Sequence, residues 1–97
     1  MAERCEIKYA DEAVADIRAL RAHDQRKILD GVEAHLRHQP KFVSRTSVKA
    51  MVQPFWSQFR LRIEDFRVYY DVDDSSKTVY VLRVLQKTTE VTPEAAP

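Results

Sequence analysis

At 97 residues the chain is the size of one small domain, and its 44% apolar and 32% charged composition is that of a soluble globular protein. A single cysteine excludes an intrachain disulfide and any Cys-x-x-Cys zinc site. The charged start carries no signal-peptide stretch and no apolar run nears the ~20 residues of a membrane-spanning helix, so a reducing cytoplasm is the expected location.

In chain order, Cys5, Ile7 and Tyr9 alternate with Glu6 and Lys8, the period of a short half-buried strand. Asp11 is expected to cap a first helix whose apolar stripe is Val14, Ile17 and Leu20. A second helix is expected from about Asp24, with Ile28, Leu29, Val32 and Leu36 as its stripe, ending before Pro40. The short link between them implies a helical hairpin. Residues 40–55 read as a long loop partly tucked onto the core. Phe59, Leu61 and Ile63 then alternate with Gln58, Arg60 and Arg62, and Phe66, Val68, Tyr70 and Val72 alternate with Arg67, Tyr69 and Asp71. Glu64-Asp65 and the run Asp73 to Ser76 supply the turns. Thr78 to Leu85 is almost wholly apolar, as for a strand covered on both faces. From about residue 92 the chain reads as a frayed tail. The whole, residues 1–97, is expected to be one α+β domain: an N-terminal strand, a helical hairpin, then a three-stranded antiparallel meander with the helices on one sheet face.

The net charge of +1 is spread unevenly. Residues 41–67 hold six basic residues (Lys41, Arg45, Lys49, Arg60, Arg62, Arg67) against Glu64 and Asp65, while both flanks are slightly acidic. Such asymmetry points to an anionic partner for the middle segment, although the pI of about 7.9 is low for a dedicated nucleic-acid binder. With Glu64 and Asp65 as the turn, Arg62 faces Arg67 across the hairpin and Arg60 faces Tyr69. Opposed arginines repel unless an anion lies between them. Three arginines on a solvated sheet face, partnered by nearby acids, is the plainer alternative.

The stretch FRLRIEDFRVYYDVDDSSKTVYVLRV, Phe59 to Val84, resembles the hairpin signature of the RelE/ParE superfamily of bacterial toxins, with phenylalanines for its tyrosines and Glu64 for its glycine. Ala13 to Leu20 and Arg26 to Pro40 resemble the family's two helices, and the likeness runs to about residue 91. It implies a toxin of a type II toxin–antitoxin module, neutralised by a cognate antitoxin that folds over it. One branch of the superfamily cleaves mRNA on the ribosome without a metal or other cofactor. The other, ParE-like, lacks nuclease activity and inhibits DNA gyrase, and degenerate homologues that only bind antitoxin are a third class. Carried over residue by residue, the resemblance places Arg67, Arg62 and Lys87 in the catalytic set and Arg60 and Lys49 in substrate binding. Arg83, expected on the strand face opposite Tyr80, Leu82 and Val84, joins that basic set or pairs with Asp71 or Asp73. The aromatic or His that the family has near its end falls at Thr92, and Glu90 and Tyr69 are the available substitutes for proton transfer.

The remaining residues with chemistry read more plainly. His35 and His38 share a helical face, but with His23 they lack a completing ligand at useful spacing, so no metal site is expected. Trp56 is a loop-packing residue or a half-exposed anchor for a partner. Cys5 has nothing near it in sequence to activate it.

Overall fold

The computed structural model describes residues 4–43 and 47–87. Its elements run β1 (Glu6–Tyr9), α1 (Asp11–Arg18), α2 (Ala22–Leu36), β2 (Val48–Ala50), β3 (Phe59–Ile63), β4 (Phe66–Asp73) and β5 (Thr78–Gln86). They build one five-stranded sheet in the order β1-β5-β4-β3-β2. The expected meander β3-β4-β5 is antiparallel throughout, and β1 closes onto β5 in parallel, pairing Glu6 with Thr78 and Tyr9 with Val81.

Each helix begins without a side-chain cap. Ala10 and Arg21 are the capping residues, so Asp11, expected as the cap, is instead the first helical residue. There its carboxylate, with Glu12, meets the positive end of the helix dipole. Gln25 Nε2 reaches back 2.8 Å to the Leu20 carbonyl just after α1. At the end of α2 the Arg37 guanidinium binds Glu33 and the Cys5 carbonyl, which ties the helix to β1.

Most of the burial lies between the helices and one sheet face. α2 contributes Ile28, Val32 and Leu36, α1 contributes Ala13 and Ile17, and the sheet answers with Leu61, Val68, Tyr70, Val79 and Val81. Leu29, placed in the expected stripe, is 43% exposed, because it sits one residue around the helix from Ile28. Gly31 allows α2 to approach β3 closely: a Cβ there would lie 2.5 Å from Ile63 Cδ1. Tyr70, fully buried and stacked on Phe59, donates its hydroxyl to the Pro40 carbonyl, which anchors the chain leaving α2.

Two expectations change. The segment 40–55 is not all loop, since Val48–Ala50 forms the edge strand β2 against Phe59–Leu61. Three residues are too few for alternation to show in the sequence. The apolar β5 is not covered on both faces either, and Tyr80 is 37% exposed. A register shift at Tyr69/Tyr70 breaks its alternation, so Val81 and Val84 are both buried on the core side. Arg83 pairs with Tyr69 and Tyr80 with Asp71, which puts Arg83 on the same face as Tyr80 rather than opposite it.

Candidate functional site

The face of the sheet away from the helices gathers the cations. In one row across the strands Lys49 pairs with Arg60, Arg60 with Tyr69, and Tyr69 with Arg83. In the next, Arg62 pairs with Arg67 and Arg67 with Leu85. The hairpin register is the expected one. It follows from a two-residue turn in which Glu64 takes φ 52°, the left-handed conformation that the family's glycine would adopt without strain. Lys27 Nζ on α2 pins that turn, 2.7 Å from Glu64 Oε1.

Arg67 is half-buried and donates only to main-chain carbonyls, those of Glu64 and Phe66, each at 3.3 Å. Burial first, and then the charges of Arg60 and Arg62, push its pKa below the usual arginine value. It remains protonated at any physiological pH. Among the described residues, no carboxylate comes within ion-pair distance of Arg60, Arg62 or Arg67. The local acids are engaged elsewhere: Glu64 with Lys27, and Asp71 with the Gln58 amide at 2.7 Å. Three neighbouring guanidiniums with no ion-paired carboxylate among the described residues, and only the charge of Asp65 in the turn nearby, form a receptor for an anion with several oxygens.

Lys49 is exposed on edge strand β2, level with Arg60. Lys87 follows β5 and is exposed, its amide bonded to the Asp65 carbonyl at 2.7 Å, which places it beside the β3–β4 turn. Arg83 is placed differently from either sequence reading. Its Nε and Nη2 grip both oxygens of Asp16 on α1, at 2.7 and 3.0 Å. Asp16 also accepts the Val84 amide at 2.9 Å, at a stretch of β5 beyond its last pairing with β1. Neither Asp71 nor Asp73 pairs with Arg83, and the guanidinium is held by a helix that sequence spacing could not bring to it. Burial works to raise the Asp16 pKa, but the Arg83 and Val84 hydrogen bonds outweigh it and hold the carboxyl below its ordinary value.

Tyr69 lies between the arginines but is only 5% exposed. Trp56 covers it with ring centroids 4.6 Å apart, and Phe55 stands 4.9 Å from Trp56 and 6.1 Å from Tyr69. The sequence reading missed this aromatic cluster. Its only signal is the Phe55-Trp56 pair at the end of the segment read as loop, of which the sequence reading singles out Trp56 alone. Glu90 and Thr92 lie outside the described residues, as does the tail from residue 92. His35 and His38 line a groove with Phe42 and Val48 on the helix side of the sheet, where Val48 pairs with the core residue Leu61, not on the face that carries the arginines.

Against known proteins, the model of a family described as the ParE toxin of the type II toxin–antitoxin system parDE matches residues 7–90. No curated protein sequence matches the chain. The toxin–antitoxin complex RelBE2 of Mycobacterium tuberculosis contains a chain 20% identical, covering 90% of this chain and 98% of that one at a TM-score of 0.75. The archaeal RelE–RelB complex of Pyrococcus horikoshii gives 19% identity, 91% and 100% coverage and a TM-score of 0.72. The chromosomal ParDE system of P. aeruginosa gives 15%, 88% and 98%, and 0.60. At these identities the likeness is one of fold.

Proposed function

The chain belongs to the family of ParE toxins of type II toxin–antitoxin systems, and from its arginine face we propose that it binds the phosphodiester backbone of mRNA on the ribosome and cleaves it without a metal. The observation that carries this reading is the grouping of Arg60, Arg62 and a half-buried Arg67 with no ion-paired carboxylate among the described residues. In the reaction the ribose 2′-oxygen attacks the adjacent phosphorus as its proton leaves to a base. The bond from phosphorus to the 5′-oxygen breaks, and that oxygen takes up a proton. The products are a 2′,3′-cyclic phosphate end and a 5′-hydroxyl end. Extra negative charge builds on the phosphorane oxygens, and preorganised guanidiniums stabilise it most where water is scarce. Arg67 has the role closest to that charge, Arg62 and Lys87 flank it, and Arg60 and Lys49 hold the strand on either side. Arg83, committed to Asp16, is left out of this set.

The toxin acts in the cytoplasm, where it meets ribosomes. A cognate antitoxin protein silences it by folding over its surface; that chains of similar fold occur in toxin–antitoxin complexes supports such a partner.

One observation favours a second reading, non-catalytic inhibition of DNA gyrase. Tyr69, the proton carrier available on the face itself, is buried under Trp56 and Phe55. Induced expression in bacteria, read by primer extension on a reporter mRNA and by the DNA-damage response, separates the two. The nuclease reading expects early mRNA cuts that fall by about 10²–10³-fold in Arg67→Ala. A damage response with intact mRNA would overturn it in favour of gyrase.

A further inference from the structure

The aromatic cluster is built more carefully than a loop cover requires. Gln53 organises the turn, its Nε2 donating to the carbonyls of Met51 and Ser57 at 3.2 Å each. Ser57 is buried and donates to the Phe59 carbonyl. Gln58 receives the Val72 amide on its side chain and gives its own amide to Asp71. These bonds fix the loop against β4 and set Trp56 upon Tyr69. Yet Trp56 remains 48% exposed, on a core whose helix side is already filled. Its neighbour beneath, Tyr69, is the cross-strand partner of Arg60 and stands two residues from Arg67 on the same strand face. An exposed aromatic ring beside guanidiniums that have no ion-pair partner among the described residues is the combination that holds single-stranded nucleic acid, ring to base and cation to phosphate.

We propose that Trp56, stacked on Tyr69 and flanked by Phe55, is a platform for one unpaired RNA base whose phosphate lies on the arginines. This rests on the RNA-binding reading of that face and adds the residue that orients the strand upon it. Base stacking is tolerant of sequence, so the platform positions the chain without selecting a codon.

Trp56 is the only tryptophan, so its fluorescence reports the platform alone. The full chain is titrated with a single-stranded RNA oligomer and, separately, with inorganic polyphosphate, which carries the charge but no base. The expected result is saturable quenching by RNA and weak quenching by polyphosphate, although polyphosphate competes for the site. Trp56→Leu is expected to weaken RNA binding by about 5- to 100-fold while leaving polyphosphate binding within about twofold. Trp56→Phe is expected to retain most of the affinity, which a purely structural role for the indole would not require. If Trp56→Leu does not fold, as read by circular dichroism, the wild-type quenching and the Trp56→Phe affinity decide the matter. RNA that binds through Arg67 without quenching Trp56 overturns the platform and leaves the RNA reading standing. Failure of RNA to bind at all overturns both. Quenching by the cognate antitoxin but not by RNA makes the cluster an antitoxin contact and overturns the platform.

Discussion

Arg67 is held in a state that the fold does not favour. Burial and two neighbouring arginine charges depress its pKa, so the protonated side chain is less comfortable in the folded chain than in the unfolded one. At neutral pH it therefore subtracts from stability. Replacing it with alanine is expected to raise the melting temperature slightly, by about 2 °C, in low salt. Calorimetry of the two proteins checks this, and a clear loss of stability in Arg67→Ala would mean that its main-chain bonds to Glu64 and Phe66 matter more than the repulsion. A gain of stability in Arg67→Ala would mark Arg67 as a residue that serves something besides folding. Arg83 shows the opposite case. On sequence it either joins the other three or pairs with Asp71 or Asp73, and its charge is satisfied within the fold by a different acid, Asp16. The difference is the position of one helix, which no spacing along β5 encodes.

Asp16 links α1 to the end of β5 through three hydrogen bonds, from Arg83 Nε, Arg83 Nη2 and the Val84 amide. β1 stops pairing at Val81, so without Asp16 the Val84 amide would face the end of the sheet with no acceptor. Asp16→Ala is expected to cost about 2 kcal/mol, a fall of about 10 °C in melting temperature. Its folded-state pKa is lowered, so the ionised form is the stabilising one. The contribution is complete above the unfolded-state value of about 3.9 and is lost as pH falls through the lower folded value. Urea unfolding should therefore show a full gap between wild type and Asp16→Ala at neutral pH, closing only below about pH 4. A gap that stays constant to about pH 2.5 would show that the methyl-for-carboxyl change acts through packing instead.

For the whole molecule, the division of labour between the two sheet faces is the main result. One face is sealed by α1 and α2, and the other carries the cations and the aromatic cluster. If three arginines neutralise three RNA phosphates, the logarithm of the binding constant should fall with the logarithm of salt at a slope of about −2, and Arg67→Ala should bring it to about −1.4. Binding measured across a salt series checks this, and a slope near zero would mean that the face does not meet phosphate. Much of this organisation was legible beforehand. The alternation in β3 and β4, with a two-residue turn between them, was enough to set the register and thus bring Arg60, Arg62 and Arg67 together, because strand period and turn length are local properties. The helices were legible from their apolar stripes for the same reason, although α1 ends at Arg18, short of Leu20, and Leu29 turns out of the α2 stripe. What local pattern could not carry was long-range. β2 is too short to show a period, and the parallel seat of β1 on β5 joins the two ends of the described chain. The shift at Tyr69/Tyr70 inverted the expected face of Arg83. The covering of Tyr69 by Trp56 depends on side-chain bonds from Gln53, Gln58 and Asp71 across separate segments. The sequence by itself determined which residues alternate, where the chain turns, and hence which charges share a face. Only the tertiary structure decided which of those charges are satisfied, because satisfaction depends on what a distant segment brings within three or four ångströms.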